Sequence, residues 1–65
     1  MLEVIIDFPD NFNRRSIESI LEFWGAILVE ELSLTRYKCF IPYWVYDENK
    51  HSIINIYLIS NLHLY

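Results

Sequence analysis

Between Asp10 and Gly25 the chain carries an apolar stripe that a helix buries as a single face. Ile17, Ile20, Leu21 and Trp24 stand at i, i+3, i+4 and i+7, the spacing of one side of an amphipathic helix. Phe12 extends the stripe by a turn and Phe23 widens it. Arg14, Arg15, Glu18 and Glu22 take the wetter side, with Arg14 and Glu18 at neighbouring positions. Asp10, Asn11 and Asn13 are turn and N-cap residue types, which predicts a helix start near Asn11 to Asn13. Gly25, the only glycine, stands where a left-handed residue closes a helix. The remainder of a 65-residue chain must be arranged around this helix.

The flanking segments alternate with period two. Leu2, Val4, Ile6 and Phe8 share one face of a first strand, opposite Glu3, Ile5 and Asp7, and Pro9 ends it by removing a backbone donor. Ala26 to Leu34 reads as a second strand in which Glu30-Glu31 breaks the alternation, pointing to a bulge or an exposed strand end. After a turn at Ser33 to Arg36, Tyr37 to Tyr46 reads as a third strand, with Pro42 implying an edge or a bulge. Asp47-Glu48-Asn49-Lys50 reads as a hairpin loop. Ser52 to about Ser60 reads as the last strand, with Ile54, Ile56 and Leu58 on one face and Ile53, Asn55, Tyr57 and Ile59 on the other.

The order β-α-β-β-β predicts a single domain over residues 1–65. Its class is α+β: a two-layer sandwich with one helix packed on a four-stranded mixed sheet. A strand, helix and strand of these lengths favour a parallel crossover, and the later strands add an antiparallel meander. Here composition becomes decisive. Of the residues, 54% are hydrophobic and 17% aromatic, yet a chain this short buries only about 60% of the surface its unfolded form exposes. One helix covers one face of a sheet, so Ile5, Ile27, Val29 and one parity of the later strands need another cover. The pattern predicts self-association, as a homodimer or higher oligomer.

The opening Ile5-Ile6-Asp7-Phe8-Pro9, followed by a helix and Gly25-Ala26-Ile27-Leu28, resembles the first β-α-β of ferredoxin-like regulatory domains. The resemblance covers less than half of the chain. The second helix of those folds has no counterpart in this periodicity, so no ligand site is carried over from it.

Candidate chemistry is sparse. Cys39 is the only cysteine, so no disulfide closes within the chain, and its place in an apolar strand reads as packing. His51 and His63 form no metal-ligand spacing with it, and no cofactor is expected. Asp7 and Asp10 flank Pro9 and read as turn residues ahead of an acid/base pair, which needs a concave pocket. Arg14 and Arg15 oppose the helix dipole in the first turn. The aromatic residues Tyr37, Tyr43, Trp44, Tyr46 and Tyr57, with Ile59, are the candidate contact residues, since Tyr and Trp anchor protein interfaces. A stacking platform for single-stranded nucleic acid uses similar aromatics but adds a basic groove. The formal net charge of −4 argues against it. Glu30-Glu31 and Asp47-Glu48 could form one acidic rim, although the acids are too scattered to imitate a nucleic acid.

Met1-Leu2-Glu3-Val4 lacks a basic segment leading into an apolar one, so no signal peptide is expected. No run approaches the roughly 18 apolar residues of a membrane span. A cytoplasmic location follows. The chain is rich in Ile, Asn, Tyr and Phe and poor in Gly, Ala and Pro, a usage that AT-rich genomes such as those of phages and mobile elements favour. The sequence therefore predicts a small non-enzymatic protein-binding module, encoded by a phage or mobile element, that inhibits or regulates a host protein in the host cytoplasm. The alternatives are an assembly protein whose self-association is its function, and a small ligand-binding or enzyme subunit.

Overall fold

A computed structural model of the chain describes residues 1–60. Its elements are β1 (Leu2–Asp7), α1 (Arg14–Trp24), β2 (Ile27–Glu31), β3 (Arg36–Ile41), α2 (Tyr43–Glu48) and β4 (Asn55–Ser60). The helix read from the sequence forms with the expected caps. The Asn13 side chain accepts a 2.8 Å hydrogen bond from the Ser16 N–H, satisfying one of the donors a helix start leaves free. At the other end Gly25 adopts φ 70° and ψ 29°. Its N–H donates to the Glu22 carbonyl and that of Ala26 to the Leu21 carbonyl, the paired bonds of a Schellman motif.

The sheet corrects the expected topology. Its strand order is β2-β3-β1-β4 and every neighbouring pair is antiparallel, so the sheet is antiparallel and not mixed. β1 and β2 do run in the same direction, but β3 is inserted between them. The reason lies in the side chains. Tyr37, Cys39 and Ile41 alternate cleanly and are all buried, so β3 competes best for the seat beside Val4 and Ile6 at the centre. Glu30-Glu31 leaves β2 with no such face, and all five of its residues stay exposed at the edge. The expected bulge is present: Val29 is the extra residue where the register shifts between Leu28 and Glu30.

The second correction is α2. Residues 43–48, read as strand and hairpin loop, form a short helix. Pro42, at φ −65° and ψ 152°, ends β3 because it has no N–H to offer the ladder, and its ring geometry then leads into the helix. Burial overrides the strand propensity of Tyr43-Trp44-Val45-Tyr46. As a helix the segment buries Val45 and half-buries Tyr46, while Tyr43 and Trp44 stay exposed. β4 starts at Asn55, later than the expected Ser52, because Ser52 caps the preceding turn, its hydroxyl accepting from the Ile54 N–H at 3.0 Å. The same alternation runs on in the sequence through Leu62 and Leu64, which reads either as a strand running nearly to the C-terminus or as a tail folding back; that stretch, with His63, lies outside the described residues.

With α2 in place the order is β-α-β-β-α-β, the ferredoxin-like or split β-α-β arrangement. The α+β two-layer class stands, with two helices instead of one. Both helices lie on the same face, since Ile17 and Trp24 of α1 and Val45 of α2 join Val4, Ile6, Tyr37, Cys39 and Ile41 in one core. Phe8 is the hub of its aromatic part, near-parallel to Trp24 at 6.4 Å and edge-on to Tyr37 at 5.9 Å, geometries that aromatic pairs favour. No polar or charged side chain is buried among the described residues.

Candidate protein interface

The uncovered face of the sheet follows from the register. Opposed residues share a face, so the rows across β2-β3-β1-β4 are Ile27–Phe40–Glu3–Ser60, Glu30–Lys38–Ile5–Tyr57, and Arg36–Asp7–Asn55 in the three strands that reach that far. Among the described residues no helix lies over these rows. Tyr57 is 52% exposed and Ile27 55%. Ile59, at the β4 bulge opposite the Glu3/Val4 step, is exposed beside them.

The charges on this face are organised. Arg36 Nη2 lies 2.9 Å from Asp7 Oδ2 and Lys38 Nζ lies 3.6 Å from Glu3 Oε2. The Asp7 carboxylate, by hydrogen bond and by charge, raises the Arg36 pKa above its ordinary value. β3 therefore contributes both cations and β1 the two anions that neutralise them. Each of these two cations thus sits beside a carboxylate of the neighbouring strand.

The candidate contact residues fall into three environments. Tyr37 is only 3% exposed and belongs to the core, where its hydroxyl donates to the Leu34 carbonyl at 3.0 Å and burial raises its pKa. Tyr46 packs partly against the core. Tyr43 and Trp44 are exposed on α2, and Tyr57 and Ile59 lie on β4. The structure thus brings Tyr57 and Ile59 together and separates them from the α2 pair. Sequence reasoning missed Phe40, Lys38, Arg36 and Leu28 as surface residues. Phe40 and Lys38 share the parity opposite Tyr37 and Cys39, a usable signal once β3 is seen to end at Pro42.

The edge formed by β2 is a second exposed apolar element. By register Leu28 faces the helix side, opposite Cys39, yet it is 53% exposed, because the helices sit over the inner strands. Leu32 and Leu34 continue the exposed apolar series into the β2–β3 turn.

The other candidates resolve into structural roles. Arg14, in the unfavourable first turn of α1, makes a two-pronged pair with Glu31 at 2.8 and 3.1 Å and a bond to Glu18 at 3.3 Å. It ties the helix start to the end of β2. The same pair holds the Glu31 carboxyl below its ordinary pKa. Among the described residues Arg15 has no ion pair. Cys39 is fully buried, and burial pushes its thiol up to about 11. Asp7 and Asp10 are separated in role: Asp7 pairs with Arg36, whereas Asp10 lines an open groove of about 630 Å³ with Phe12, Arg14 and Leu34. Glu30-Glu31 belongs to the β2 edge, whereas Asp47-Glu48 ends α2. The residues just after α2, Asn49 and Lys50, line a cleft with β4, the opposite edge. The single acidic rim does not form. His51 is exposed. Among the described residues no three His, Cys, Asp or Glu side chains cluster to hold a metal, and no helix is long and apolar enough to cross a membrane.

No known protein family, curated protein or solved structure matches the chain.

Proposed function

We propose that the protein is a non-enzymatic protein-binding module that acts by occupying the surface of another protein, presented as a homodimer. The observation that carries this reading is the concentration of exposed large apolar side chains on the uncovered sheet face and the β2 edge: Ile27, Leu28, Val29, Tyr57 and Ile59. Scattered exposed apolar residues are ordinary on any protein, but neighbouring ones along one edge and one face mark contact surfaces. An edge strand also offers backbone donors and acceptors that an incoming strand can pair with. Inhibition or regulation of a host protein in the cytoplasm, by a phage or mobile-element product, accords with the AT-favoured residue usage and the small size.

Capture with tagged wild-type protein, run beside a Leu28→Lys variant of unchanged fold, tests the reading. A specific protein retained by the wild type and lost from the variant is the expected result. Equal retention by both, or none by either, contradicts it.

A further inference from the structure

We infer that the uncovered sheet face is occupied by a second copy of the same chain, docked about a two-fold axis that runs parallel to the strands between β1 and β3. This deepens the homodimer of the binding-module reading by giving its geometry, and rests on that reading for the assumption that exposed apolar surface serves contact. The observation that selects a second copy is the separation of charge between the two central strands. Arg36 and Lys38 are on β3, and Glu3 and Asp7 are on β1. A two-fold axis parallel to the strands lays β3 of one copy over β1 of the other and keeps each row level. Arg36 then faces the second copy's Asp7, and Lys38 lies over Ile5 within reach of Glu3. The existing intramolecular pairs become four-membered networks of alternating sign, which compensate charge removed from water better than isolated pairs do.

The outer strands match under the same operation. β2 lies over β4, so Ile27 comes over the end of β4, where Ile59 is exposed, and Glu30 comes over Tyr57, whose hydroxyl can donate to the carboxylate. A two-fold axis perpendicular to the strands fails on the same residues. It sets β1 over β1 and brings Glu3 against Asp7, acid against acid. The result is a sandwich of two four-stranded sheets, about 10 Å apart and nearly aligned. Four strands about 4.8 Å apart and six residues at about 3.4 Å each give a flat footprint near 400 Å² per copy. That flat area, about 800 Å² for the two copies together, lies below the range of stable specific interfaces and marks the pair as a weak, exchanging dimer.

Charge reversal with mixing tests the arrangement. Arg36→Asp alone sets acid over acid across the axis, and Asp7→Arg alone sets cation over cation. Each variant by itself should dimerise more weakly than wild type by roughly tenfold or more. Mixed in equal amounts, the two restore both contacts across the axis. One contact joins the two native residues and the other joins the two introduced charges, which are of opposite sign, although neither variant regains its internal pair. Recovery of dimer on mixing, read by sedimentation, is the expected result, and it also shows that both variants are folded. Three results overturn the inference: a wild type that stays monomeric from micromolar to millimolar concentration, single variants that dimerise as tightly as wild type, or a mixture that fails to associate. A monomeric wild type overturns the homodimer together with this geometry but leaves the occupation of another protein's surface, tested by capture with Leu28→Lys, standing, so the two failures are distinguishable.

Discussion

Glu31 shows how one residue can join two elements and set a pH dependence. Its carboxylate takes both prongs of the Arg14 guanidinium, which lowers its pKa. A carboxyl with a depressed folded-state pKa contributes stability at pH values above its ordinary value. That contribution is lost as pH falls through the depressed one. In urea unfolding, Glu31→Gln should therefore be less stable than wild type near neutrality, with the gap closing in acid. A gap that is constant with pH would show that the pair contributes nothing through ionisation. Cys39 behaves in the opposite sense. Its thiol is fully buried and pushed up to about 11, so the thiolate that reacts is scarce and inaccessible. Alkylation at neutral pH should be slow in the native protein and fast after unfolding; fast native labelling would remove Cys39 from the core. The packing role of Cys39 was legible from its place in an apolar alternation. The partner of Arg14 was not, because Glu31 is 17 residues away and only the sheet order brings it near.

At the scale of elements, α1 and its caps were the most legible part of the chain, because every determinant is local. Asn13, the four stripe residues and Gly25 all lie within one short stretch. Asn13→Ala should cost about 1 kcal/mol through the lost cap. Gly25→Ala meets no atom within 4 Å of the added Cβ, so its cost is backbone strain alone, roughly 1–2 kcal/mol. Thermal or urea melts check both. Ile6→Ala, at the fully buried centre of β1, should cost more, about 2–5 kcal/mol. β3 and α2 were misread for a physical reason. Tyr37 to Tyr46 alternates in sequence straight through Pro42, and strand preference among Tyr, Trp and Val depends on the surface they meet. The tertiary core decided the matter by taking Val45. The parallel neighbours expected of β1 and β2 failed because adjacency in a sheet is settled by competition between strands. β3 has the better buried face, and Glu30-Glu31 leaves β2 at the edge. The α2 pair supplies a control. Trp44 is exposed on α2 and away from the rows of the open face, so Trp44→Lys should leave self-association unchanged.

At the scale of the whole molecule, total area is ordinary. A monomer of 7.9 kDa is expected to expose roughly 4,400 Å², and this chain exposes 4558 Å². The high apolar content therefore does not show as an open or poorly closed molecule. It shows in which side chains line one sheet face and one edge, a distinction composition alone could not draw. The uncovered face itself was legible: one helix covers one face of a four-stranded sheet, and the second helix joined the first, so that no element among the described residues covers the other face. Its charge pattern was not legible, since it depends on β3 lying beside β1. Sedimentation of the wild type across a concentration series, beside a Tyr57→Glu variant that sets acid over Glu30 of the second copy, tests the claim that this face is a contact surface. The wild-type mass should rise from that of one chain toward that of two while the variant remains at one chain with its fold intact. A wild type that holds the mass of a single chain throughout, or a variant that associates equally well, would contradict it.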